Sequence, residues 1–324
     1  MRYAGLALAF GSSACFAFSG PMARYLVAAG LTPIEAVWAR MAAAGLLLLG
    51  VLAAVRPAAL RIPRARWPFF ALYAVVAVAG VQSLYFAAIT RLPVGVALLL
   101  VYMAPVMVAA WVRLVRKVRL PRAAYAGALV ALAGLGIVAE VWHDLRLDAL
   151  GLALGLLAAA CSAGYFLMND SFGDDVDPLG LVAWGMAGAA VALVPLARPW
   201  ALRWEAFTTS ATPAPGALTL PVPVAFAWMV AVASVVAYIL GVNAVRRLSA
   251  AVGATVASLE VIGGALAAWG VLGEGLGGPQ IAGGVIVLSG ALLARTATRR
   301  TRPRATGPTS LDGDKEVTSG AMKC

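Results

Sequence analysis

The stretch Gly5-Leu6-Ala7-Leu8 recurs 146 residues later as Gly151-Leu152-Ala153-Leu154, and Ala14-Cys15 recurs at the same spacing as Ala160-Cys161. Further along the chain the spacing becomes 156 residues. The pairs that match at this second spacing are Leu84 with Leu240, Ala88 with Ala244, Arg91-Leu92 with Arg247-Leu248, Gly127 with Gly283, Leu132 with Leu288, and Gly134 with Gly290. The chain therefore contains two copies of one apolar unit, and duplicated apolar halves are typical of membrane transporters.

The composition indicates an integral membrane protein, because 62% of residues are hydrophobic, 12% are charged and the mean hydropathy is +0.91. Stretches without charge or histidine run over residues 3–23, 67–90, 92–112, 123–139, 149–169, 178–197, 224–244 and 275–294. Two further apolar stretches carry an ionisable residue in their interior: 34–54 with Arg40, besides Glu35 at its start, and 252–272 with Glu260. Each stretch approaches the roughly 20 residues with which a helix crosses a bilayer. We therefore predict an all-α integral membrane protein with ten transmembrane helices, five in each copy.

The basic residues predict the orientation of these helices. With the N-terminus in the cytoplasm, nineteen Arg and Lys residues fall on the cytoplasmic side and five on the outer side. The positive-inside rule therefore favours two cytoplasmic termini in the cytoplasmic membrane. Five spans is an odd number, so the second copy enters the membrane from the opposite face and the repeats are inverted. Basic side chains at helix ends meet lipid headgroups, so we expect membrane lipids and no nucleic acid as partners.

The predicted organisation has two repeats and a tail. Residues 1–142 form the first five-helix repeat and residues 143–296 form the second, which includes an outer loop over residues 198–223. Residues 297–324 are polar and without apolar periodicity, and they predict a disordered cytoplasmic tail. The matched glycines Gly127, Gly134, Gly283 and Gly290 are expected to permit close helix packing.

Enzyme chemistry has no signature in the sequence. It contains no phosphate-binding loop, no dinucleotide fingerprint and no zinc-protease motif, and its one histidine, His143, falls in a short predicted loop. We therefore expect no enzymatic activity, no cofactor and no metal site. A small-molecule substrate is the expected partner, and the oligomeric state is left open.

Two ionisable residues inside predicted spans need an explanation. Glu260 lies near the middle of the ninth span, where a carboxylate is costly unless it is protonated, paired or hydrated. A proton-coupled transporter needs a residue of this kind, so Glu260 is the candidate proton carrier. Arg40 lies about two turns into the second span, where it either contacts substrate or extends towards the membrane surface. A structural pair between Arg40 and Glu260 is the alternative reading of both residues.

Polar and aromatic residues extend this candidate site. Gln82 and Tyr85 are three residues apart, and Tyr165 and Asn169 are four apart, so each pair lies on one helical face. The remaining members of the candidate substrate-binding site are Tyr102, Tyr238, Arg40 and Glu260. We predict that these side chains form a chamber between the two halves near the bilayer midplane. The alternative is that they only form hydrogen bonds between helices or lie at the membrane interface.

Several short stretches resemble a known family. They are Trp38-Ala39-Arg40, Arg91-Leu92-Pro93-Val94-Gly95-Val96-Ala97, Tyr102-Met103-Ala104-Pro105-Val106, Arg247-Leu248-Ser249-Ala250, Ser258-Leu259-Glu260 and Leu272-Gly273-Glu274. Through them, residues 3–296 resemble the EamA-type bacterial exporters of the drug/metabolite transporter superfamily. The resemblance implies a ten-helix inverted-repeat secondary transporter for small metabolites, commonly amino acids or drug-like compounds, which usually moves them outward.

The chain departs from the family pattern at two places. Val261 replaces the proline that usually follows the acidic residue at Glu260, whereas Pro105 is present in the fourth span and frees a backbone carbonyl there. Lys117-Val118 replaces the Gly-Glu pair that usually ends the fourth span, so the acidic residue survives only in Gly273-Glu274. We therefore expect Glu274 to have a mainly structural role at a helix end.

The sequence is best explained by a secondary active transporter that exports a small metabolite by alternating access, with Glu260 as the residue for proton coupling. The substrate class is an amino acid or another amphiphilic, drug-like compound. One alternative is an importer of the same fold. Another is a membrane scaffold or sensor without transport, in which Glu260 and Arg40 only hold helices together. Facing surfaces without a polar cavity would favour the scaffold.

Overall fold

The computed structural model describes residues 2–115, 117, 119, 121–138, 148–172, 176–247, 259–275 and 277–299. The α-helices of the first copy are α1 (Arg2–Ala17), α2 (Ser19–Ala28), α3 (Pro33–Val55), α4 (Trp67–Leu72), α5 (Val81–Ala88), α6 (Val94–Val101), α7 (Ala104–Leu114) and α8 (Arg122–Val138). Those of the second copy are α9 (Ala149–Phe172), α10 (Pro178–Ala197), α11 (Val222–Val230), α12 (Ala237–Arg247), α13 (Leu259–Leu272) and α14 (Gly278–Arg299). Helices therefore dominate both copies, as the composition predicts.

Several of these helices join into longer, membrane-length rods. A π-helical stretch, Tyr73–Gly80, connects α4 to α5, and a second, Ala231–Val236, connects α11 to α12. Seven helices in the described residues are long and apolar enough to cross a membrane. They are Ala4–Ala28, Pro33–Val55, Arg64–Ala88, Val94–Leu114, Ala149–Met168, Pro178–Ala197 and Val222–Ala244. The chain is a multi-pass membrane protein, while the count of ten spans stays a prediction.

Two of the rods are broken by prolines. Pro105 cannot donate to the carbonyl of Val101, and the chain makes one turn at residues 102–103 between α6 and α7. Pro21 acts in the same way on Ala17, and α1 ends there before α2 begins at Ser19. Both breaks lie beside the cavity described below.

The loop after α10 contains regular structure that the all-helical prediction did not include. It contains short helical turns and two strands that pair in antiparallel fashion, β1 (Ser210–Ala211) and β2 (Leu220–Pro221). α11 begins at Val222, so the predicted loop boundary is displaced by two residues. Of the remaining predictions, His143 and residues 300–324 lie outside the described part of the chain.

Helices of one copy pack mainly against helices of the other. α8 packs along α14, α3 along α10, α1 against α12 and α13, and α9 against α5, α6 and α7. The α8–α14 contact is between backbones, since a Cβ built on Gly134 would lie 2.8 Å from the carbonyl oxygen of Gly283 and 2.6 Å from the amide nitrogen of Val287. The prediction that these glycines permit close helix packing is confirmed.

Candidate functional site

A cavity of about 270 Å3 lies between the two copies. Its volume falls near the lower end of the range for small-molecule sites, about 300–1,000 Å3. The lining combines aromatic rings, a carboxylate, a guanidinium group and a few neutral polar groups. The polar and aromatic residues in this lining are Phe16, Ser19, Arg40, Tyr73, Gln82, Tyr85, Tyr102, Ser162, Tyr165, Phe166, Tyr238 and Glu260.

The cavity brings together seven of the eight residues in the sequence-based candidate site. They are Arg40, Gln82, Tyr85, Tyr102, Tyr165, Tyr238 and Glu260. The eighth, Asn169, belongs to α9, but its side chain is outside the described part of the structure. The helix faces inferred from residue spacing thus meet at one place, while substrate binding by these groups stays a prediction.

Arg40 is anchored inside the protein and does not extend to the membrane surface, since only 1% of it is exposed. Its Nη1 donates to Ser19 Oγ at 2.7 Å and to Gln82 Oε1 at 2.9 Å. Its Nε donates to Ser234 Oγ at 2.9 Å, and its Nη2 donates to the carbonyl oxygen of Ala233 at 3.1 Å. Four of the five N–H donors of the guanidinium group are therefore occupied by neutral acceptors.

Glu260 faces the same cavity from α13. Its Oε2 accepts a hydrogen bond of 3.0 Å from the hydroxyl group of Tyr102, which lies at the break between α6 and α7. Within the described residues, the hydrogen bonds of Arg40 go to other partners, so the direct structural pair of Arg40 with Glu260 does not form. Among the described residues, the cavity therefore combines an anchored cation with a carboxylate that accepts a hydrogen bond from Tyr102.

Sequence reasoning missed several aromatic residues of the lining. Phe16 packs edge-on against Tyr238 with ring centroids 4.9 Å apart, and Tyr73 lies 5.8 Å from Tyr165. Phe166 adds a further ring beside Tyr165 at 5.4 Å. Phenylalanine and tyrosine are common in any apolar span, so only their positions in space distinguish these rings from lipid-facing ones.

Sequence reasoning also missed the serines that hold Arg40. Ser19 is 8% exposed and Ser234 is completely buried. The sequence does contain a signal for Ser19. Pro21 frees the carbonyl of Ala17, which lies two residues before Ser19, and polar residues beside such breaks often line cavities. Ser234 has no comparable signal, since serine is frequent in membrane helices and none of its neighbours is ionisable.

A polar cluster joins helix ends at one end of the bundle, which we call the loop end because the 198–221 loop lies there. Glu274 follows α13 and accepts from Arg24 Nη2 at 2.9 Å and from the backbone amide of Val94 at 2.9 Å. Arg24 also donates to the carbonyl oxygen of Ile89 at 2.6 Å. Glu274 thus joins the ends of α2, α5 and α6 to α13. The structural role expected of Glu274 would then be to hold these helix ends together.

The 198–221 loop covers the same end. The hydroxyl group of Tyr25 in α2 lies 2.7 Å from the carbonyl oxygen of Leu218 in the loop and 3.2 Å from that of Val271 in α13. Arg203 of the loop donates to the carbonyl oxygen of Gly30. The loop therefore contacts both copies, through Tyr25 in α2 and through the hydrogen bond from the Leu218 amide to the carbonyl oxygen of Val271 in α13.

The opposite end, which we call the far end, has its own contacts between copies. Asp177 caps α10 through hydrogen bonds from the amides of Leu179 and Gly180, and it pairs with Arg56 Nη2 at 3.1 Å. Trp184 Nε1 donates to the carbonyl oxygen of Leu60 at 3.1 Å. These contacts attach the chain after α3 to α10.

Comparisons with known proteins agree with this architecture. The model of the EamA-like transporter family matches the chain twice, over residues 3–139 and 149–296. No curated protein matches the chain. A solved structure, described only as the crystal structure of a protein, is similar with a TM-score of 0.61 at 17% identity, and the match covers 93% of this chain and 100% of that one. That likeness supports the fold alone. Because the family match extends over both copies and most of the chain, this protein belongs to the EamA-like transporter family of the drug/metabolite transporter superfamily.

Proposed function

We propose that the protein is a secondary active transporter that exports a small amphiphilic metabolite, such as an amino acid, by alternating access. The observation that carries the proposal is the cavity between the two copies, in which Glu260 and Arg40 lie among aromatic rings. A polar cavity of this kind also argues against the alternative of a scaffold, which needs only helix-to-helix contacts. An importer of the same fold is the remaining alternative.

The chemistry of the cavity favours a substrate with an amine and an apolar body. Glu260 offers carboxylate oxygen to an ammonium group, and the rings of Phe16, Tyr73 and Tyr165 offer apolar and cation–π contact. A substrate carboxylate would meet the amide N–H groups of Gln82, whose Oε1 is occupied by Arg40. A zwitterion with an aromatic or aliphatic side chain satisfies both ends.

The screen that tests this proposal uses purified protein in liposomes with a proton-sensitive dye inside. Radiolabelled amino acids and small amines are offered one at a time, with and without a pH gradient. We expect at least one zwitterion to exchange across the membrane and to move protons with it. Efflux from cells that overproduce the protein then distinguishes an exporter from an importer. No flux for any compound, with the protein correctly inserted, would favour the scaffold.

Inverted repeats are part of the proposal, and the α8–α14 contact supports them. Gly134 meets Gly283, the twin of Gly127, while Gly290, the twin of Gly134, meets the backbone of Gly127. Such reciprocal contacts are the signature of a two-fold axis. Gly127, the earlier glycine of α8, meets Gly290, the later glycine of α14. The two helices are therefore antiparallel, and the two-fold axis is perpendicular to them. An axis in the membrane plane relates inverted repeats.

Both termini are proposed to lie in the cytoplasm, with the loop end outside. The excess of Arg and Lys on the predicted cytoplasmic side supports this assignment. The Glu274 cluster then lies outside and the Asp177–Arg56 pair lies inside. Two reporter enzymes are used, one that is active only in the cytoplasm and one that is active only outside it. We expect the first to be active when it is fused after Arg299, and the second when it is inserted at Gly216 in the 198–221 loop. The reverse pattern would contradict the orientation, and activity of both fusions on one side would contradict the inverted repeat.

The Glu274 cluster is proposed to act as a latch that keeps the loop end closed. Glu274→Gln removes the charge that attracts Arg24 and retains the shape, so the loop end should open more often. A hydrogen bond to a charged group contributes about 1.5–3 kcal/mol, which corresponds to a population shift of roughly tenfold or more. Labelling from outside of a cysteine at Val101 in the cavity, with the native cysteines replaced, should rise by about that factor.

The matched control for the latch is Glu205→Gln, which removes an exposed carboxylate from the same loop end. It should leave the labelling of the cavity cysteine unchanged. Equal labelling in the Glu274→Gln variant and the parent protein would mean that the cluster only caps helices and does not control access.

A further inference from the structure

Gln82 in α5 presents hydrogen-bond donors to the cavity. A guanidinium group carries only donors, so the amide oxygen of Gln82 is the atom that faces Arg40, and it accepts at 2.9 Å. The amide nitrogen therefore points away from Arg40, and within the described residues it donates to no acceptor. Gln82 is half-buried and lines the cavity, so a bound molecule can reach its two N–H groups.

Tyr85 adds a second donor one turn further along α5. Residues three apart share a helical face, and both Tyr85 and Gln82 line the cavity. The hydroxyl group of Tyr85 is buried, and no group in the described part of the chain forms a hydrogen bond with it. Gly20 in α2 makes room for this hydroxyl group, because a Cβ at residue 20 would collide with its oxygen. Buried hydroxyl groups are normally paired, so this one calls for an acceptor that arrives with a ligand.

Arg40 supplies a positive charge behind these two donors. It is almost completely buried, and its four hydrogen bonds go to neutral oxygen atoms. No carboxylate of the described residues forms a salt bridge with it, and a buried charge without a counter-charge is costly. An anion held by Gln82 would lie one amide group away from Arg40 and would compensate this charge. The arrangement therefore favours a carboxylate over a neutral acceptor.

We infer that Gln82 and Tyr85 form a carboxylate subsite on α5, and that Arg40 is a positioning residue that aims the Gln82 amide at the bound carboxylate. The substrate amine then lies towards Glu260 in α13, which faces the same cavity. The inference rests on the proposed function, because it divides the proposed substrate between two subsites. It adds Tyr85 as a second donor, and it assigns Arg40 a role that acts through Gln82 without contact with the substrate.

Matched pairs of ligands test the inference, each pair being an amino acid and the amine that remains when its carboxylate is removed. The pairs are leucine with isoamylamine, phenylalanine with phenethylamine, and tryptophan with tryptamine. Thermal stabilisation of the purified full chain in detergent measures the affinity for each compound. In at least one pair, we expect the amino acid to bind at least about tenfold more tightly than the amine, since hydrogen bonds to a charged group contribute a factor of this size.

Gln82→Glu should reverse this preference. Glutamate retains the length of the side chain and an oxygen that accepts from Arg40, but it replaces the two N–H donors with a negatively charged oxygen. The amine should then bind more tightly than the amino acid. Gln280→Glu is the matched control, because it makes the same change at the start of α14, outside the cavity, where the side chain can still accept from the amide of Gly277. It should leave the preference unchanged.

Tyr85→Phe tests the second donor, in part without any ligand. The melting temperature of the ligand-free protein should stay the same or rise, because the change removes a buried polar group that lacks a partner. The affinity for the amino acid should fall about tenfold, while the affinity for the amine stays the same. Tyr125→Phe, which removes an exposed hydroxyl group from α8, is the control and should change neither quantity. A lower melting temperature for Tyr85→Phe would show that the hydroxyl group is already paired, and would remove Tyr85 from the subsite.

Arg40→Met tests the positioning role. Without the guanidinium group the amide of Gln82 can turn either way, so the preference for the amino acid should largely disappear. Arg40→Lys should restore most of it, because an ammonium group also carries only donors. A preference that is lost in Arg40→Met but retained in Gln82→Glu would mean that Arg40 binds the carboxylate itself, and would overturn the inference. If Arg40→Met does not fold, the result for Gln82→Glu decides alone.

Equal affinity for amino acid and amine in every pair, or no binding in any pair, would also overturn the inference. Binding is measured without flux, so the proposed function is judged separately. A protein that shows the preference but transports none of these ligands would contradict only the proposed function. A protein that transports an amino acid and its amine equally well, with equal affinity for both, would contradict only the carboxylate subsite.

Discussion

We expect the Glu260→Gln variant to fold and insert, to exchange substrate with a weaker hold on the substrate amine, and to lose net transport driven by a pH gradient. Glutamine retains the size of the side chain and its hydrogen bond with Tyr102, but it cannot gain or release a proton. A carboxylate in the membrane centre costs roughly 2.5–3.5 kcal/mol on insertion scales, so its retention needs a compensating use. That use would be a transport cycle in which the Glu260 carboxylate is charged while the cavity faces one side of the membrane and protonated while it faces the other.

The measurement compares substrate flux in liposomes with and without a pH gradient, for a substrate identified in the screen. Glu205→Gln serves as the control, because it makes the same chemical change on the exposed loop and should behave like the unchanged protein. If Glu260→Gln still accumulates substrate in response to the gradient, Glu260 does not carry the proton. Its role would then be limited to the contact with the substrate amine.

The second large effect is expected at the α8–α14 contact. Gly134→Val should reduce the free energy of unfolding by about 1–3 kcal/mol or more, since extra methyl groups in a filled contact force the backbones apart. The two helices touch through backbone atoms at this position, so no side chain can rotate away to make room. Thermal unfolding of the purified protein in detergent measures the loss.

Gly136→Val is the control for this experiment. Gly136 lies on the same helix, two residues away, and an added Cβ there would have no neighbour within 4 Å. Both variants introduce a β-branched residue into α8, so the helix propensities change equally and only the packing differs. Equal melting temperatures for the two variants would show that the glycine contact contributes nothing to stability.

The membrane-spanning rods were predictable because each uncharged stretch is about as long as the bilayer requires. Breaks inside the rods are predictable where a proline interrupts the hydrogen-bond ladder, as at Pro105 and Pro21. The π stretches were not predictable, since Tyr73–Gly80 and Ala231–Val236 contain ordinary helix-forming or β-branched residues. Both stretches contact helices of the other copy, and the local sequence does not encode such contacts.

The members of the candidate site were predictable to the extent that polar groups in membrane spans are few. Glu260, Gln82 and Tyr102 stand out for this reason, and all three line the cavity. The partners of Arg40 could not be predicted, because hydrogen bonds between Arg40 and Ser234 join residues 194 positions apart. Periodicity within one helix carries no information about such distant partners.

The glycine contact between α8 and α14 also determines an order of events during biosynthesis. α8 is made and inserted roughly 140 residues before its partner α14 leaves the ribosome. At about 5–20 residues per second, its glycine face stays unpaired for roughly 7–28 seconds. During that interval the nascent chain exposes a helix surface suited to any other small-residue helix in the bilayer. Completion of α14 therefore ends the period in which α8 can pair with a wrong helix.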